Sequence, residues 1–441
     1  MNRQWAGKRV LILGAARQGL ALTRYLLAQG AVVTLNDKRS SEQLKASMES
    51  LKHEQLTWVT GEHPMELLDT AEMVCLSGGV PLDLPIVREA AARGLPLSND
   101  SQIFAEACPA PITAITGSAG KTTTTTLVGR MAQHGLAAGQ RAWVGGNIGQ
   151  PLVEFIDQIN PGDRVVLELS SFQLEQMTAP MAVSAVLNIT PNHLDRHGTL
   201  EAYAAAKARI LDFQHAGSRA VLNREDPGSW NLRERVKGNL LSFGLLHPAR
   251  GEDGVFTAAG MVRLVEKGKE STLLPLNLIR LRGEHNTMNV LAACAVAHAS
   301  GYPVEAMLAG VSGFTGVAHR LELVRIFNGA AWYNDSIATA PERTAAAIRS
   351  FNEPLVLLLG GRDKNLPWED LGALVRQRVD HVVLFGEAAE KIAAAIGKPG
   401  FGRPYSVTRC AGLQEAVLTA AEQAEAGDVV LLSPGGTSYD Q

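Results

Sequence analysis

A glycine-rich turn ending in Gly-Lys-Thr occupies residues 116–123, with the sequence Thr-Gly-Ser-Ala-Gly-Lys-Thr-Thr. An apolar run at 111–116 precedes it, and a run typical of a helix follows at 121–134. Glycines let backbone N–H groups approach phosphate oxygens, and the following helix N-terminus favours negative charge. Lys121 can neutralise the β- and γ-phosphates while the Thr122 hydroxyl binds Mg²⁺. The pattern therefore predicts a nucleoside triphosphate site formed by Gly117, Ser118, Ala119, Gly120, Lys121, Thr122 and Thr123.

Two polar residues stand at the ends of the next apolar runs. Glu168 lies at the end of the run 164–169, and His193 follows the run 183–189. Near-continuous apolar runs are typical of parallel strands covered on both faces. The carboxyl ends of such strands meet at one edge of the sheet, beside the expected triphosphate. We therefore expect Glu168 to ligate or orient a metal ion, and His193 to have a catalytic or metal role rather than a structural one.

Other polar residues are ambiguous on sequence alone. Lys207 lies in an alanine-rich helical run at 200–213, where a lysine most often belongs to a solvated face. The alternative is that Lys207 faces the metals and is modified to a carbamate. The segment 283–289 opens a helix and has the composition of an N-cap cluster. Turn chemistry alone could explain Arg320 and the segments 334–336 and 360–364.

Composition excludes several classes of protein. The 441 residues have a net charge of −3, which argues against broad nucleic-acid binding through the phosphate backbone. Cys75, Cys108, Cys294 and Cys410 lack CxxC spacing, as expected of buried thiols in a reducing compartment. No apolar run approaches membrane-spanning length, and the N-terminus has no signal-peptide core. We expect a cytoplasmic protein without membrane contact, and a monomer because nothing indicates a large exposed apolar face.

The order of apolar runs and turns predicts an α/β protein of three domains. The first, 1–108, has a Rossmann-like pattern in which Asp37 closes the second strand, which suits the nucleotide part of a substrate better than a nicotinamide. The second, 109–317, is a P-loop ATPase-like parallel sheet with a small antiparallel insertion near 251–274. The third, 318–441, is a further Rossmann-like α/β unit that begins with a hairpin around Asn328-Gly329.

Three motifs carry a resemblance to a known family. They are the phosphate loop, the run Leu-Glu-Leu-Ser-Ser-Phe-Gln-Leu-Glu at 167–175 and the run Asn-Ile-Thr-Pro-Asn-His-Leu-Asp-Arg at 188–196. Gly-Glu-His-Asn at 283–286 and the segment 433–441 follow in the expected order. Over essentially its whole length the chain resembles the Mur ligases. Its Ser-Ser-Phe-Gln-Leu-Glu run is similar to the branch that adds glutamate.

The resemblance implies a reaction. The expected activity is ATP-dependent addition of glutamate, with D-glutamate favoured, to UDP-N-acetylmuramoyl-L-alanine in the cytoplasmic synthesis of peptidoglycan precursors. The substrate carboxylate would attack the γ-phosphate of ATP and give an acyl phosphate, which the glutamate amine would then attack. Phosphoryl transfer of this kind depends on positioning and charge neutralisation. The sequence itself leaves the choice between D- and L-glutamate open.

The resemblance also implies roles for individual residues. Lys121 would hold the β- and γ-phosphates, and Thr122 with Glu168 would hold a first Mg²⁺. His193 and a carbamylated Lys207 would hold a second Mg²⁺, so that two cations clamp the developing charge. Further ATP contacts would be Asn286, Arg320 and Asp335. Substrate contacts would be Arg17, Gln18, Asp37, Lys38, Gly79 and Asn147 for the sugar nucleotide, Thr339, Lys364 and Ser438 for glutamate, and in addition Ser170.

The chain departs from the family pattern at three places. Ile337 stands where many relatives have a lysine, which removes one cation between ATP and substrate. Gly78 stands where a proline is usual, a change expected to alter loop stiffness more than chemistry. Relatives continue beyond the position of Gln441 with a Phe-containing segment and a helix, so we expect a third domain truncated at its end and reduced activity.

Alternative functions follow from these departures and from single motifs. A weak or silent protein that binds ATP and a sugar nucleotide without turnover would suit a truncated third domain. A folylpolyglutamate synthase-like ligase also adds glutamate, but such a chain would start close to the phosphate loop, without residues 1–108. A nicotinamide dehydrogenase would use the first domain and leave the phosphate loop unexplained. We expect the ligase in preference to all three.

Overall fold

A computed structural model describes residues 4–363, 366–397 and 402–437 of the chain. The chain divides into two compact units, of which the first comprises Met1–Leu278 with Met288–Ser312 and the second Ile279–Thr287 with Gly313–Gln441. Two β-sheets lie in the first unit and a third lies in the second unit. Parallel pairing dominates these sheets, and this confirms the expected α/β class.

The first sheet has five parallel strands in the order β3-β2-β1-β4-β5. The strand order reverses beside β1, and ligands of open α/β sheets bind at such a reversal, outside the carboxyl ends of the strands. The order is therefore that expected of a Rossmann-like domain. Its elements are β1 Arg9–Leu13, α1 Arg17–Ala28, β2 Val32–Asp37, α2 Lys45–Ser50, β3 Thr57–Thr60, β4 Met73–Leu76, α3 Pro85–Ala92, β5 Leu97–Ser98 and α4 Asp100–Ala107.

Both faces of the first sheet are buried. Side chains alternate along a strand, so Val10 and Ile12 of β1 enter one apolar cluster while Leu11 and Leu13 enter another. Helix α1 covers the first face, and α3 covers the second. Full burial of such a side chain stabilises a fold by roughly 1.5–3 kcal/mol, so these strands rigidly hold the loops that follow them.

The second sheet has nine strands in the order β14-β13-β12-β11-β10-β9-β6-β8-β7. Pairing is parallel from β7 to β12 and antiparallel between β12, β13 and β14. The insertion predicted from sequence is thus the edge of the same sheet rather than a separate sheet. The elements are β6 Ile112–Thr116, α5 Lys121–Gly135, β7 Ala142–Gly146, β8 Arg164–Glu168, α6 Ser171–Leu174, β9 Val183–Val186, α7 Leu194–His197, α8 Leu200–Asp212, β10 Arg219–Asn223, α9 Pro227–Trp230, β11 Asn239–Phe243, β12 Gly254–Ala258, β13 Met261–Glu266, β14 Lys269–Pro275, α10 Glu284–Ala299 and α11 Val304–Val311.

The third sheet, in the second unit, has six strands in the order β15-β16-β20-β17-β18-β19. The predicted hairpin at Asn328 is confirmed as the antiparallel pair β15 and β16, and the remaining pairs are parallel. Strand β15 forms one edge, and Val324 and Ile326 on it are 60% and 70% exposed. The elements are β15 Glu322–Phe327, β16 Ala330–Asn334, α12 Pro341–Arg349, β17 Leu355–Gly360, α13 Glu369–Arg378, β18 His381–Phe385, α14 Ala389–Ile396, β19 Ser406–Arg409, α15 Leu413–Gln423 and β20 Val429–Gly435.

Short 3₁₀ segments complete the described part of the chain, at Met65–Leu68, Leu152–Gln158, Asn231–Arg235 and Leu276–Leu278. Within the residues that the structure describes, no helix combines the length and apolar character needed to cross a membrane.

Candidate functional site

The glycine-rich turn joins β6 to α5, as predicted. Gly120 precedes the first turn of α5 with φ of 79°, in the left-handed region that favours glycine. A side chain at this position would also collide with Oδ1 of Asn289. Lys121 and Thr122 are half-buried in the first turn of the helix, whereas Thr123 is buried. The backbone therefore has the geometry of a phosphate-binding turn at a helix N-terminus.

A neighbouring strand end holds this turn in place. The backbone N–H of Ala119 donates to Asn188 Oδ1 at 2.8 Å, and Asn188 Nδ2 donates to the Ala119 carbonyl at 3.2 Å. The Ser118 hydroxyl donates to the Thr190 carbonyl at 3.0 Å and accepts from the Thr190 N–H at 2.9 Å. Sequence reasoning missed Asn188, although it stands in the same motif as His193. These reciprocal bonds preorganise the loop for an anion.

Two lysines meet beneath the phosphate loop. Lys121 Nζ donates to the Gly117 carbonyl at 2.8 Å, and Lys207 Nζ donates to the same carbonyl at 2.9 Å. Lys207 is 1% exposed, so the solvated-face alternative is wrong. Burial lowers the pKa of Lys207 well below its usual value and the charge of Lys121 lowers it further, while Glu168 acts in the opposite direction. The structure thus holds a buried amine whose neutral form is strongly favoured.

Glu168 lies at the carboxyl end of β8 and is 2% exposed. Its Oε1 accepts a hydrogen bond from Asn147 Nδ2 at 3.0 Å, and the Asn147 N–H donates to the Glu168 carbonyl at 2.8 Å. Its other oxygen, Oε2, is buried and has no hydrogen-bond partner. An unpartnered buried carboxylate oxygen is costly unless a cation pairs with it. Asn147 was predicted to contact the sugar nucleotide, and the structure places its amide on Glu168.

The residues at the phosphate loop fit a bound Mg²⁺. The orphaned Oε2 of Glu168 is a hard oxygen ligand of the kind that Mg²⁺ prefers, and the Thr122 hydroxyl lies in the first turn of α5. Among the described residues, no group of three or more His, Cys, Asp or Glu could hold a metal ion alone. A cation here would therefore take its remaining ligands from substrate oxygens or water, as Mg²⁺ commonly does.

His193 is exposed and directly precedes the short helix α7, with φ of 53°. Its ring meets the ring of Phe172 edge to face, with 5.2 Å between centroids. The ring of Phe172 is also stacked on the ring of His197, with 5.2 Å between centroids. Sequence reasoning missed His197. His197 ends α7, and nothing in the local sequence indicated that its side chain is buried.

The first sheet places Asp37 at the crevice expected from its strand order. Asp37 Oδ2 accepts from the Ala15 N–H at 2.8 Å and from Arg39 Nη2 at 2.7 Å. Burial raises the pKa of Asp37, but the hydrogen bonds from Arg39 and Ala15 outweigh it and lower this pKa to about 2. Arg39 was not predicted from sequence, because its partnership with Asp37 depends on the turn after β2.

Gly78 has a hydrogen-bonding role that a proline could not have. The Gly78 N–H donates to Gln18 Oε1 at 3.3 Å and so joins the loop after β4 to the start of α1. A side chain on Gly78 would lie 2.7 Å from the same oxygen. Gln18, predicted to meet the sugar nucleotide, thus lies beside the loop that contains Gly79. The other predicted contacts of this domain, Arg17, Lys38 and Gly79, are exposed.

Ser170 caps helix α6 in a reciprocal capping box. Gln173 N–H donates to Ser170 Oγ at 3.3 Å, and the Ser170 N–H donates to Gln173 Oε1 at 3.0 Å. Gln173 Nε2 also donates to Ser101 Oγ at 2.7 Å, so the cap extends to the start of α4. The structure therefore gives Ser170 a local structural function, and its predicted contact with substrate remains a prediction.

In the second unit, Asp335 lies at the end of β16 and is 5% exposed. Its carboxylate accepts from Ser433 Oγ at 2.9 Å and from the Leu321 N–H at 3.2 Å. Burial raises the pKa of Asp335 to about 6, while Ser433, Leu321 and the charges of Arg320 and Arg343 oppose this rise. The structure thus brings the charge of Arg320 near Asp335, and their shared role at ATP remains a prediction.

Other predicted residues of the second unit are placed separately. The amide of Asn286 donates to the Arg282 carbonyl at 2.7 Å, and Asn286 is 7% exposed. Thr339 is half-buried, and its N–H donates to the Ile337 carbonyl at 2.9 Å. Ile337 is 40% exposed, so the position that is lysine in many relatives faces outward. Lys364 and Ser438 lie outside the described residues.

Family models match three consecutive parts of this chain. The description "Mur ligase MurD-like, N-terminal domain" applies to residues 8–98. "Mur ligase middle domain" applies to residues 115–297, and "Mur ligase, glutamate ligase domain" applies to residues 319–436. The N-terminal and glutamate ligase matches each contain one whole sheet, and the middle-domain match contains the second sheet apart from the first three residues of β6.

Similar proteins extend over nearly the whole chain. A UDP-N-acetylmuramoylalanine–D-glutamate ligase of Symbiobacterium thermophilum is 39% identical over 433 residues, which cover 98% of this chain and 94% of that protein. The protein of that name from Koribacter versatilis is 38% identical and covers 99% and 94%. Among solved structures, MurF from Acinetobacter baumannii aligns with a TM-score of 0.62 at 19% identity over 98% of this chain and 91% of its own. UDP-N-acetylmuramate–alanine ligase from Thermotoga maritima aligns with a TM-score of 0.57 at 18% identity over 97% and 96%.

A three-sheet α/β fold with a phosphate loop, a buried lysine and a buried carboxylate defines an ATP-dependent ligase. The chain belongs to the Mur ligase family.

Proposed function

We propose that this chain joins D-glutamate to UDP-N-acetylmuramoyl-L-alanine with hydrolysis of ATP to ADP and phosphate, in the synthesis of peptidoglycan precursors. The observation that carries this proposal is the similarity to ligases of that name at 34–39% identity over 98–100% of the chain. The Ser-Ser-Phe-Gln-Leu-Glu run and the "glutamate ligase domain" match at 319–436 support glutamate as the amino acid that is added.

In the proposed reaction, the terminal carboxylate of the sugar nucleotide attacks the γ-phosphorus of ATP. The bond between that phosphorus and the β,γ-bridging oxygen breaks, ADP leaves, and an acyl phosphate remains. The glutamate amine then attacks the acyl carbon, loses a proton, and phosphate departs as the amide forms. Both steps need anionic groups to approach each other, so the protein must supply positive charge and fixed geometry.

Residues of the phosphate loop are proposed to hold ATP. The backbone N–H groups from Gly120 to Thr123, at the start of α5, would face the phosphates, while those of Ser118 and Ala119 donate to Asn188 and fix the loop. Lys121 would exchange its bond with the Gly117 carbonyl for bonds to the β- and γ-oxygens. The preorganisation by Asn188 and Thr190 means that little reorganisation accompanies this step. Asn286 is proposed to contact adenine, Arg320 the phosphates and Asp335 the ribose.

Glu168 and Thr122 are proposed as ligands of a first Mg²⁺, with His193 and Lys207 for a second. When bound, these ions neutralise the charge of the triphosphate and of the acyl phosphate. Lys207 is proposed to act as a carbamate, formed when its neutral amine attacks CO₂ and releases one proton. The low pKa of this amine supports the proposal, because only the uncharged amine is nucleophilic.

The two substrates are proposed to bind at different parts of the chain. Arg17, Gln18, Asp37, Lys38 and Gly79 would bind the uridine diphosphate end of the sugar nucleotide, with Asn147 and Ser170 along its length. The position of Asp37 at the strand-order reversal supports this placement. Glutamate is proposed to bind at Thr339, Lys364 and Ser438. The domains are proposed to extend over residues 1–108, 109–317 and 318–441, in a monomeric, cytoplasmic enzyme.

The test is phosphate release by the purified chain with ATP, Mg²⁺ and UDP-N-acetylmuramoyl-L-alanine, in the presence of D-glutamate, L-glutamate or neither. We expect release that requires D-glutamate. Release with L-glutamate alone would reassign the acceptor. Tight binding of both nucleotides with no release under any condition would overturn the ligase in favour of a silent binding protein.

A further inference from the structure

His197 occupies the centre of a buried polar cluster to which no role has been assigned. Its side chain is 3% exposed. Nδ1 lies 3.2 Å from Glu175 Oε1, and Nε2 lies 2.9 Å from Ser171 Oγ. The ring is stacked on Phe172 with an interplanar angle of 3°, and it meets Tyr203 edge to face at 5.2 Å. One hydrogen bond, one close contact with a carboxylate and two ring contacts therefore fix this imidazole in one orientation.

Phe172 is connected to the loop after β4 through Arg196. The guanidinium of Arg196 lies 4.2 Å from the centroid of the Phe172 ring. Arg196 donates from Nη1 to the Gly79 carbonyl at 3.2 Å and from Nη2 to the Val80 carbonyl. The chain of contacts therefore runs from His197 through Phe172 and Arg196 to the first sheet's loop.

A cleft lies between the parts that this chain of contacts joins, with about 270 Å³ of space that includes solvent outside its mouth. One wall comes from the first sheet and its loop, and the other comes from helix α6 and the residues that follow it. The residues that line it are Leu76, Ser77, Gly78, Val80, Leu82 and Asn99 on the first wall and Phe172, Gln173, Glu175 and Gln176 on the second. His197 does not line the cleft itself. It contacts Glu175 and is stacked on Phe172, two residues of the second wall.

We propose that His197 is a positioning residue for the sugar nucleotide. It fixes the positions of Phe172 and Glu175 in the second wall. Through Phe172 and Arg196 it also fixes the position of that wall relative to the loop at Gly79 and Val80. This inference rests on the proposed function for the identity of the ligand, because it takes the cleft to receive the part of the sugar nucleotide beyond the diphosphate. His197 itself touches protein groups only, and it acts through Phe172 and Glu175.

A nucleophilic role is excluded by burial. Ser171, His197 and Glu175 have the order of a serine, histidine and carboxylate triad. Ser171, however, is 3% exposed, in the first turn of α6, and is not among the residues that line the cleft. A substrate carbonyl could not reach its hydroxyl, so the triad has a structural and positioning function.

The test compares ligand affinities of two variants and a control. His197→Phe keeps a ring for stacking on Phe172 but removes the hydrogen bond with Ser171 and the contact with Glu175. His197→Gln keeps hydrogen-bonding capacity and serves as the conservative variant. His53→Phe changes an exposed histidine in the same unit and serves as the matched control. Calorimetry measures binding of UDP-N-acetylmuramoyl-L-alanine without ATP, and in separate titrations binding of ATP with Mg²⁺.

We expect His197→Phe to bind the sugar nucleotide about tenfold more weakly, with ATP affinity changed by less than about twofold, and His197→Gln to recover part of the loss. The KM for the sugar nucleotide should rise in parallel, while the KM for ATP stays constant. Equal weakening for both ligands would mean a general structural role, and unchanged affinity for both would remove the role; either result overturns the proposal. Should His197→Phe fail to fold, Ser171→Ala removes the hydrogen bond with His197 and is subject to the same criteria.

The two proposals fail in distinguishable ways. A wild-type chain that binds the sugar nucleotide but releases no phosphate rejects the ligase reaction, and the affinity comparison still decides the role of His197. A wild-type chain that turns over, beside a His197→Phe variant of normal affinity, rejects only the positioning role.

Discussion

Lys121 and Lys207 both donate from Nζ to one acceptor, the carbonyl oxygen of Gly117, at 2.8 and 2.9 Å. Two ammonium groups this close repel each other, and one of them is 1% exposed. Burial and the charge of Lys121 therefore both lower the pKa of Lys207. One backbone oxygen of the phosphate loop thus links the first lysine of α5 to the buried lysine of α8.

Replacing Lys207 with Ala should reduce turnover by several orders of magnitude, because the proposed carbamate oxygen is lost. Acetate or another small carboxylic acid should restore part of the activity, since it can occupy the vacated space with an oxygen ligand. The measurement is phosphate release with and without the acid. Lys52→Ala, in the exposed turn after α2, is the control and should be unchanged. Activity of Lys207→Ala equal to the wild type would contradict a functional lysine here.

Lys121→Ala should abolish ATP-dependent turnover, because the triphosphate loses the ammonium group of Lys121 at the helix N-terminus. Binding of UDP-N-acetylmuramoyl-L-alanine should not change, since Lys121 is not among the residues proposed to bind the sugar nucleotide. Turnover assays and calorimetry measure the two effects. A variant with near-normal rates would reject the phosphate-loop assignment.

Glu168→Gln should raise the Mg²⁺ concentration needed for half-maximal activity by about tenfold or more, because an amide is a much weaker ligand than a carboxylate. The change is nearly isosteric, and Gln can still accept from Asn147. Thermal stability should therefore stay constant or rise, since an uncompensated buried charge is removed. An unchanged Mg²⁺ dependence would show that Glu168 does not bind the ion.

Asp100, in the first turn of α4, is 5% exposed, and its Oδ1 has no hydrogen-bond partner. Burial raises its pKa from 3.8 to about 6, although hydrogen bonds from Ser101 and the charge of Arg17 oppose the rise. The protonated form is favoured in the fold, so its stabilisation is complete below pH 3.8 and is lost as the pH rises through about 6.

The expected consequence is that Asp100→Asn gains stability over the wild type as the pH rises. The gain between pH 4 and pH 7.5 should approach roughly 2–3 kcal/mol, the equivalent of a shift of about two pKa units. Urea denaturation at both pH values measures it, and Asp157→Asn provides a control at an exposed carboxylate. A difference between Asp100→Asn and wild type that is independent of pH would contradict the raised pKa.

Local sequence patterns were sufficient to predict most of the strands and helices. Periodicity and glycine turns predicted β1, β6, α5 and the hairpin of β15 and β16, since each depends on neighbours in sequence. They did not predict that the insertion extends the second sheet, because the parallel pairing of β11 with β12 joins distant residues. Strand order and sheet membership depend on contacts that no local pattern specifies.

The candidate site likewise contains residues that the sequence predicted and residues that it could not predict. Lys121, Glu168 and Lys207 follow from motifs, and the structure brings them to one loop. The residues that orient them, such as Asn188 and Asn147, could not be assigned these partners, because a hydrogen bond between residues 69 positions apart has no signature in composition. His197 was missed for the same reason, since a buried histidine has the same sequence appearance as an exposed one.

Strand β15 also affects how the protein behaves in concentrated solution. It is an edge strand with Val324 and Ile326 outward at 60% and 70% exposure, and such edges can template pairing between molecules. Arg325, stacked on Phe327 at 4.6 Å, places one positive charge in the middle of the strand. Like charges brought together by self-pairing repel, so Arg325 acts as a gatekeeper against aggregation. Light scattering should accordingly show earlier aggregation of Arg325→Val than of the wild type, and later aggregation of Ile326→Lys.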